Sequence, residues 1–259
     1  MKQPLAYIHP DAKIAPNVVI EPFVTIDKNV VIGDGCQIGS NVTILEGVRI
    51  GKNCRIFPGA VIGAIPQDLK FQGEDSLVII GDNTTIREYV TINRGTSAKG
   101  KTVVGNDCLI MAYCHVAHDC VVGNSVIMSN ATQLAGEVII DDFAILSGGI
   151  LVHQFTHIGS HVMIQGGTKI NKDVPPFVKA GRDPISYAGI NSIGLRRRGY
   201  TNEQIREIQD IYRYLYQSGM NTSHAVERIE AELPASKERD EILLFVRNSP
   251  RGIIKGYFE

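Results

Sequence analysis

The sequence predicts a mainly β protein: a left-handed parallel β-helix of hexapeptide repeats, followed by a C-terminal α-helical domain. Every sixth residue from Ile8 to Ile62 is isoleucine, and the same spacing returns at Ile80, Ile86 and Ile92. Successive sixth positions from Val104 to Ile170 then contain only Val, Ile, Leu or Met. A fixed short period indicates stacked coils of one repeating unit. Because a six-residue period fits neither an α-helix nor an alternating strand, we predict a three-sided coil with one hexad per side.

The other hexad positions agree with this geometry. Gly or Asn often stands three residues after the aliphatic residue, and both tolerate the left-handed backbone of a sharp corner. The first and fifth residues of a hexad point inward, and the fifth must be small or slender. The fifth position holds all five cysteines: Cys36, Cys54, Cys108, Cys114 and Cys120. We interpret them as compact core residues, and the lack of a CxxC pair argues against a thiolate zinc site.

The hexads run from about Ile8 to Pro175, with interruptions at residues 64–78 and 97–103. Insertions into a solenoid project as loops, and such loops often build functional sites. The regular pattern ends at two prolines, which cannot donate ladder hydrogen bonds. We place the β-helix domain at residues 1–185 and the helical domain at residues 186–259.

The C-terminal region has helical spacing after a linking stretch at residues 177–199. Thr201 and Gln204 predict a capping box, Gly219 predicts a helix end, and Pro234 predicts a second one. Three helices are predicted, over residues 202–218, 222–233 and 236–248. We expect this domain to pack against the lower coils of the prism.

Bulk composition excludes several classes of protein. The 259 residues have a net charge of -1 with 20% charged residues, so no global field attracts nucleic acid. The N-terminal residues lack the apolar core of a signal peptide, and no stretch is long enough to span a bilayer. Five unpaired cysteines suit a reducing compartment. We therefore expect a cytoplasmic protein that neither binds nucleic acid nor inserts into membranes.

Several outward-facing hexad positions are apolar, and such a surface is a candidate interface. They are Val19, Val31, Val61, Ile127, Ile139, Ile145, Leu151 and Met163. Three-sided prisms pack well around a threefold axis, and cyclic closure is usual in homo-oligomers. We expect a homotrimer, with a monomer as the alternative.

The most suggestive coil contains His115 and His118. Positions eighteen apart stack on neighbouring coils at about 4.8 Å. This places His118 in a column with Gly136 and Gln154, and it places His115 under Gln133.

Such a column is suited to acyl transfer. The neutral imidazole of His118 can take a proton from a hydroxyl nucleophile. The backbone N–H of Gly136 can stabilise the oxyanion that forms on a carbonyl. Asp119 can raise the basicity of His118 or fix its tautomer. The alternative is an inert surface histidine.

Metal binding is the main rival chemistry. His153, His157 and His161 are four residues apart, but they occupy different hexad positions and cannot converge within one subunit. A zinc site would need three histidines meeting across a subunit boundary, to which His115 and His118 could contribute. We expect no metal.

Several motifs in a fixed order resemble one family. They are QDLK at residues 67–70, HVAHDC at 115–120, VHQF at 152–155, DVPP at 173–176 and GLRRRG at 194–199. Together with the hexads, they resemble the UDP-N-acetylglucosamine O-acyltransferases over essentially the whole chain. The hexads alone are weak evidence, because many acyl- and acetyltransferases share them.

The resemblance implies transfer of an R-3-hydroxyacyl group from acyl carrier protein to the 3-hydroxyl of UDP-N-acetylglucosamine, the first step of lipid A biosynthesis. It implies that His118 is the general base, that Asp119 holds it, and that the Gly136 N–H is the oxyanion donor. It implies no resident cofactor, because phosphopantetheine arrives on the carrier protein.

The same resemblance implies the substrate contacts. Asp68 and Lys70 would contact sugar and donor from a neighbouring subunit. His115 and Gln154 would line the cleft for the sugar and the pantetheine.

Arginines near the tail complete the implied site. Asn191 and Arg198 would reach the nucleotide end of the substrate. Arg196 and Arg197 would contact the acidic carrier protein, since arginine pairs well with carboxylates and phosphate. A solvated cluster at a helix start is the alternative.

The chain departs from the family pattern at two positions. Glu137 stands where the best-known members have histidine, and Ile193 stands where glutamate often follows Asn191. These changes put two sugar or ribose contacts in doubt and suggest altered sugar choice, such as an amino-substituted analogue. The resemblance also implies that Gly166 and Gly167 leave space at the far end of the cleft, so we predict a long hydroxyacyl chain.

Three other functions stay open from the sequence. The related N-acyltransferase of the same pathway usually has an N-terminal uridine-binding domain, for which hexads beginning at Ile8 leave no room. A coenzyme A-dependent acetyltransferase would not need the loop with Asp68 and Lys70 or the arginine-bearing tail. A non-catalytic β-helix scaffold predicts that His118 is dispensable.

Overall fold

The structure is a computed structural model that describes residues 5–256. Residues 1–4 and 257–259, which fall within the two predicted domains, lie outside the described residues. The hexads form the predicted left-handed β-helix, whose three sides are sheets of nine, eight and eleven strands.

The three sheets consist of very short strands, and the chain visits them in rotation. The first sheet contains Tyr7–Ile8, Thr25–Ile26, Thr43–Ile44, Val61–Ala64, Thr91–Asn93, His115–Val116, Gln133–Leu134, Leu151–Val152 and Lys169–Ile170. The second sheet contains Lys13–Ile14, Val31–Ile32, Val48–Ile50, Leu77–Ile80, Lys101–Val104, Val121–Val122, Ile139–Ile140 and His157–Ile158. The third sheet contains Val19–Ile20, Gln37–Ile38, Arg55–Ile56, Thr85–Ile86, Leu109–Ile110, Ile127–Met128, Ile145–Leu146, Met163–Ile164, Val178–Gly181, Ser186–Ile190 and Lys255–Gly256.

Strand register shows where the insertions leave the prism. His115 pairs with Gln133, eighteen residues on, whereas Val61 pairs with Thr91 and Thr91 pairs with His115. The last two pairs are more than eighteen residues apart because each spans an insertion. Each insertion follows a strand of the first sheet and precedes a strand of the second. The two predicted insertions therefore leave from one edge of the prism, between the first and second sheets, which we call the insertion edge.

The inside of the prism is an aliphatic ladder, as predicted. The hexad aliphatic residues from Ile20 to Ile170 are buried, and burying one such side chain stabilises the fold by about 1.5–3 kcal/mol. The five cysteines are free and buried, and each thiol donates to a backbone carbonyl, such as Cys120 to Ala135 O at 3.1 Å. Burial raises the pKa of Cys108 to about 11, so this thiol stays neutral and serves as core.

The corners have the expected left-handed backbone. Asn29, Asn41 and Asn53 have φ of 52°, 58° and 55°. At the insertion edge the same conformation is adopted by Asp119 and Glu137, with φ of 60° and 59°. A left-handed backbone conformation costs energy for Asp119 and Glu137, which have a Cβ. It also points their side chains in a direction that strand residues do not adopt.

Past the prism, the chain makes an antiparallel hairpin and then a helical region. The hairpin joins Val178–Gly181 to Ser186–Ile190, both in the third sheet. The helices are α1 Ser192–Arg197, α2 Asn202–Gln217, α3 Thr222–Glu232 and α4 Lys237–Arg247. The last three confirm the three predicted helices, and the capping box of Thr201 and Gln204 is present. Because the strand Ser186–Ile190 continues a sheet of the prism, the division at residue 185 stays a prediction.

Helix α1 lies within the stretch that we expected to be a linker. It has six residues, and the Asn191 side chain caps it by accepting from Gly194 N at 3.2 Å. The helical region packs on the C-terminal coils of the prism, where the Tyr212 hydroxyl donates to Pro176 O at 2.5 Å. Among residues 5–256, no helix combines the length and the apolar character needed to cross a membrane.

Candidate active site

His118 lies on the insertion edge, two residues after the strand His115–Val116. Its Nδ1 is 2.9 Å from Oδ2 of Asp119. An ionised Asp119 can only accept, so the neutral imidazole has its proton on Nδ1 and an acceptor lone pair on Nε2. The residue is 8% exposed, more buried than the outward corner position suggested, because the first insertion covers it. An imidazole with a defined tautomer is thus present at the predicted position.

Asp119 is fully buried and is held by the second insertion. The Thr96 N–H donates to Oδ1 at 3.0 Å and to Oδ2 at 3.2 Å, and the Thr96 hydroxyl donates to Oδ2 at 2.6 Å. The Asp119 N–H donates to the Thr102 hydroxyl at 2.9 Å. Sequence reasoning did not single out Thr96 or Thr102, and the available signal was only that Thr96 borders the insertion at 97–103 and Thr102 lies within it.

The column of His118, Gly136 and Gln154 stacks as predicted. Glu137 N donates to His118 O at 3.0 Å, and Phe155 N donates to Gly136 O at 3.2 Å. A Cβ at position 136 would lie 2.4 Å from His118 Nε2, so only glycine allows the imidazole to sit there.

The backbone N–H of Gly136 is suited to bind an oxyanion. Gly136 is buried, and within residues 5–256 its N–H has no protein acceptor. Within the described residues, the N–H at this hexad position is unpaired on other coils too, as at Ala112, Asn130 and Gly148. What distinguishes Gly136 is the imidazole against it, since a Cβ here would lie 2.4 Å from Nε2 of His118, so its N–H is a candidate oxyanion donor.

The first insertion brings Asp68 to the opposite side of His118. Its Oδ2 lies 3.8 Å from Nε2 of the imidazole. Asp68 thus lies beside His118 of its own chain. The expected contact of Asp68 with sugar and donor from a neighbouring subunit stays a prediction. Lys70 follows with its N–H donating to Asp68 Oδ1 at 2.9 Å, and its side chain is exposed beside the site.

The two insertions are tied to each other. Ser97 N of the second insertion donates to Glu74 Oε1 of the first at 2.9 Å. The amide of Asn93, in the strand before the second insertion, donates to Ile65 O of the first at 2.7 Å. The two insertions are therefore in contact, and they lie on opposite sides of His118.

His115 lies one strand position before the site and is half-buried. Its Nδ1 is 2.7 Å from the Thr91 hydroxyl. Burial lowers the pKa of His115, with a smaller contribution from the charge of His118, so His115 is neutral near physiological pH. Its other nitrogen is then available to a substrate.

The arginine-bearing group of predicted residues lies on a different edge, between the second and third sheets. Phe143, His161 and Phe177 stack along that edge. The Asn191 amide donates to His161 O at 2.9 Å, and the Arg198 guanidinium lies 4.4 Å from the Phe143 ring centroid. The chain therefore does not bring these two residues to the edge that contains His118.

Burial strongly affects titration on this second edge. It lowers the pKa of His161 to about 4, with a further contribution from the charge of Arg198. Burial also lowers the pKa of Arg198 itself. Arg196 and Arg197 are exposed in α1, and Arg196 donates to Asn202 at 3.2 Å.

The two departures from the family pattern have different surroundings. The Glu137 carboxylate lies 3.9 Å from Lys99 Nζ of the second insertion, and it is next to Gly136. Ile193 is largely exposed on α1. Glu137 is thus a charged neighbour of the site, and Ile193 is not.

The three histidines considered as metal ligands have separate partners. His153 Nδ1 contacts Gln154 O, His157 Nε2 contacts Asp141, and His161 Nε2 contacts the Tyr200 hydroxyl. In the described part of the chain, no three His, Cys, Asp or Glu side chains meet in a metal-binding group.

Family models match three parts of the chain. Residues 173–254 match the model described as UDP-N-acetylglucosamine O-acyltransferase, domain 2. Residues 101–136 match the bacterial transferase hexapeptide model of six repeats, and residues 2–103 match the GMPPB C-terminal domain.

Curated and solved relatives agree with the first match. An acyl-[acyl-carrier-protein]–UDP-N-acetylglucosamine O-acyltransferase of Chlorobium phaeobacteroides is 52% identical over 193 residues, which are 74% of this chain and 73% of the relative. The crystal structure of a UDP-N-acetylglucosamine acyltransferase from Bacteroides fragilis is 61% identical with a TM-score of 0.97, covering 98% of this chain and all of the other. The corresponding Francisella novicida structure is 42% identical with a TM-score of 0.96, covering 98% and 94%. The chain is therefore an acyltransferase and belongs to the UDP-N-acetylglucosamine O-acyltransferase family.

Proposed function

We propose that this protein transfers an R-3-hydroxyacyl chain from acyl carrier protein to the 3-hydroxyl of UDP-N-acetylglucosamine, the first step of lipid A biosynthesis. One observation supports this most directly. His118 has its Nδ1 held by a buried carboxylate, while its Nε2 lies beside the orphaned N–H of Gly136. A base next to an oxyanion donor is the arrangement that acyl transfer to a hydroxyl requires.

In the proposed reaction, Nε2 of His118 accepts the proton of the sugar 3-hydroxyl as the oxygen attacks the thioester carbonyl carbon. The Gly136 N–H stabilises the negative charge on the tetrahedral intermediate. The intermediate collapses with cleavage of the carbon–sulfur bond, and the departing thiolate takes the proton from the imidazolium. The products are the O-acyl ester and the free thiol of the carrier. Asp119 stays ionised throughout and stabilises the transient positive charge on His118.

We also propose that the active protein is a homotrimer. His118 and Arg198 lie on different edges of one prism, so a single cleft that contains both needs two protomers. The third sheet offers apolar residues for this contact, including Met163, which is 40% exposed. Burying such residues between protomers would stabilise a closed ring.

The remaining predicted residues would bind the substrates around the same site. Asp68, Lys70, His115 and Gln154 would bind the sugar and the pantetheine. Asn191 and Arg198 would bind the nucleotide, and Arg196 and Arg197 would bind the acidic carrier protein. Arg196 and Arg197 lie within α1, and Asn191 and Arg198 are its N-cap and C-cap residues.

The proposed reaction needs no resident cofactor, because the carrier protein supplies the phosphopantetheine. A cytoplasmic location fits five buried free thiols, which a reducing compartment preserves.

An amine at the acceptor position is the second candidate, and Glu137 favours it. Its carboxylate adjoins Gly136 and is balanced by Lys99. An ammonium group on the sugar would find a counter-charge there, and it would pass a proton to Nε2 of His118 before the neutral amine attacks the thioester.

The test is incubation of the purified protein with hydroxyacyl carrier protein and either UDP-N-acetylglucosamine or its 3-amino analogue. Mass analysis reports the acylated nucleotide, and mild alkali cleaves an ester but leaves an amide. We expect ester from the natural sugar, and we expect the variant His118→Ala to lose about 10²–10⁴-fold in turnover. Full activity in that variant would refute the mechanism, while preferred acylation of the amino sugar would favour the second candidate.

A further inference from the structure

Thr96 contacts the site only through Asp119. It is 7% exposed, it stands where the chain enters the second insertion, and its three donor contacts all end on the two oxygens of that carboxylate. No hydrogen bond or ion pair joins Thr96 to His118 within residues 5–256. Among the predicted catalytic residues, Thr96 therefore makes its hydrogen bonds to Asp119 alone.

The turn around Thr96 fixes the direction of its hydroxyl. Thr96 Oγ1 accepts from Ala98 N at 3.2 Å, and Thr96 O accepts from Gly100 N at 2.7 Å. Since the oxygen already accepts from Ala98, its own proton is directed to Oδ2 of Asp119. A Cβ at Gly95 would lie 2.8 Å from Oδ1 of Asp119 and 2.2 Å from Lys101 N, so the turn fits tightly around the carboxylate.

Oδ2 of Asp119 is thus contacted by three donors: the Thr96 hydroxyl, the Nδ1–H of His118 and, at 3.2 Å, the Thr96 N–H. The same Thr96 N–H also donates to Oδ1 at 3.0 Å, so it bridges the two carboxylate oxygens. A carboxylate bound in this way cannot rotate away from the imidazole without losing charge-assisted hydrogen bonds in a buried place. His118 in turn has its proton fixed on Nδ1 as long as Asp119 stays in position.

We propose that Thr96 is a positioning residue of the acyl transfer: it holds Asp119 in the orientation that keeps Nε2 of His118 unprotonated and directed at the acceptor hydroxyl. This inference rests on the proposed function for its kinetic consequence. Its structural consequence, the tautomer of His118, does not depend on the identity of the substrates.

The test compares Thr96→Val with Thr96→Ser. Valine has the same shape and retains the backbone N–H contacts, but without the hydroxyl it loses both the donation to Asp119 Oδ2 and the hydrogen bond from Ala98 N. Serine restores the hydroxyl without the methyl group. Thr84→Val is the matched control, because the buried Thr84 hydroxyl also donates once and accepts once, to Gly105 O at 2.7 Å and from Cys108 N at 3.2 Å, away from Asp119.

We expect Thr96→Val to lower kcat by about ten- to a hundredfold with little change in KM, less than the roughly ten-thousandfold loss when a triad aspartate becomes asparagine. Thr96→Ser should recover most of this loss, and Thr84→Val should behave as wild type in turnover. A loss in Thr96→Val that serine does not rescue, or an equal loss in Thr84→Val, would overturn the proposal.

The second readout is ¹⁵N NMR of histidine-labelled protein at neutral pH, with the His118 signals identified by their absence in His118→Ala. Wild type and Thr96→Ser should show Nδ1 protonated and Nε2 unprotonated, whereas Thr96→Val should show a mixture of tautomers. An unchanged tautomer in Thr96→Val would overturn the inference. If the wild-type protein acylates neither sugar, the proposed function fails, and the NMR comparison still decides whether Thr96 positions Asp119 and His118.

Discussion

Gly136→Ala is the sharpest perturbation of the candidate site, because it adds one methyl group directly against the imidazole. The new Cβ would lie 2.4 Å from Nε2 and 2.5 Å from Cε1 of His118. Ordinary contacts begin near 3.4 Å, so the ring must retreat by at least about 1 Å. A displacement of about 1 Å in a catalytic group can cost about a hundredfold in rate, or about 3 kcal/mol of transition-state stabilisation. The backbone N–H of residue 136 is retained, so the loss would come from the base alone.

The fold should tolerate this change. The φ of Gly136 lies outside the left-handed region, so alanine fits the backbone without strain. Replacing glycine by alanine at such a position stabilises a protein by about 0.4–1 kcal/mol through the unfolded chain. Gly148→Ala is the control for stability, because it adds a methyl at the same hexad position and its nearest contact is Asn130 O at 3.3 Å. Both variants should melt within a few degrees of wild type.

The assay is steady-state turnover with carrier-bound hydroxyacyl donor, combined in a double-mutant cycle. If the methyl acts by displacing the imidazole, Gly136→Ala should cost nothing further in a His118→Ala background, where the ring is gone. Wild-type turnover in Gly136→Ala would refute the reasoning about the base. Additive losses in the double variant would show that the methyl obstructs the substrate instead.

Three further predictions follow from the same structure. Asp119→Asn should lower kcat by about ten-thousandfold, since an amide cannot accept all the donors around Asp119, and single-turnover kinetics should place the loss in the acyl transfer step. Met163→Glu should give a lower mass in light scattering and lower activity, because a charge on the apolar third sheet opposes assembly; an unchanged mass would exclude this face from the interface. His161 should make the protein less stable as pH falls from its ordinary pKa of 6.5 towards the folded value of about 4, because the unfolded chain binds the proton first. Urea unfolding of His161→Phe should show a pH 7 to pH 5 loss smaller by about 1–2 kcal/mol, and equal losses would contradict the assignment.

The β-helix was predictable because its core residues recur at fixed intervals in the sequence. Each inward position recurs every six residues, so the ladder from Ile8 to Ile170 and the eighteen-residue stacking follow from spacing alone. The same arithmetic correctly aligned His118 with Gly136. Helix α1 was missed because six residues are too few to show a helical period. The N-cap residue Asn191 is the one sequence feature that indicates it.

Contacts made by the insertions were not predictable in this way. Thr96 meets Asp119 across a separation of 23 residues, which is no multiple of the coil repeat. The position of Asp68 beside His118 of its own chain does not follow from the coil repeat either. The first insertion is held by the strand residue Asn93 and by the contact of Glu74 with Ser97 of the second insertion. Hexad spacing determines which residues stack in the coils, but it does not determine which coil residues an inserted loop contacts.

The insertions explain how an edge of a β-helix can hold an imidazole that is suited to the proposed role of general base. A regular coil offers His118 stacked backbone above and below, and only its own next residue, Asp119, as a side-chain partner. Because both insertions leave from this same edge, one places Thr96 behind Asp119 and the other places Asp68 in front of Nε2. The contact between Ser97 and Glu74 couples the two sides. The coils therefore fix the position of Gly136, the proposed oxyanion donor, relative to His118, the proposed base. The coupled loops fix the proton on Nδ1 of His118, so the site needs both the coils and the loops.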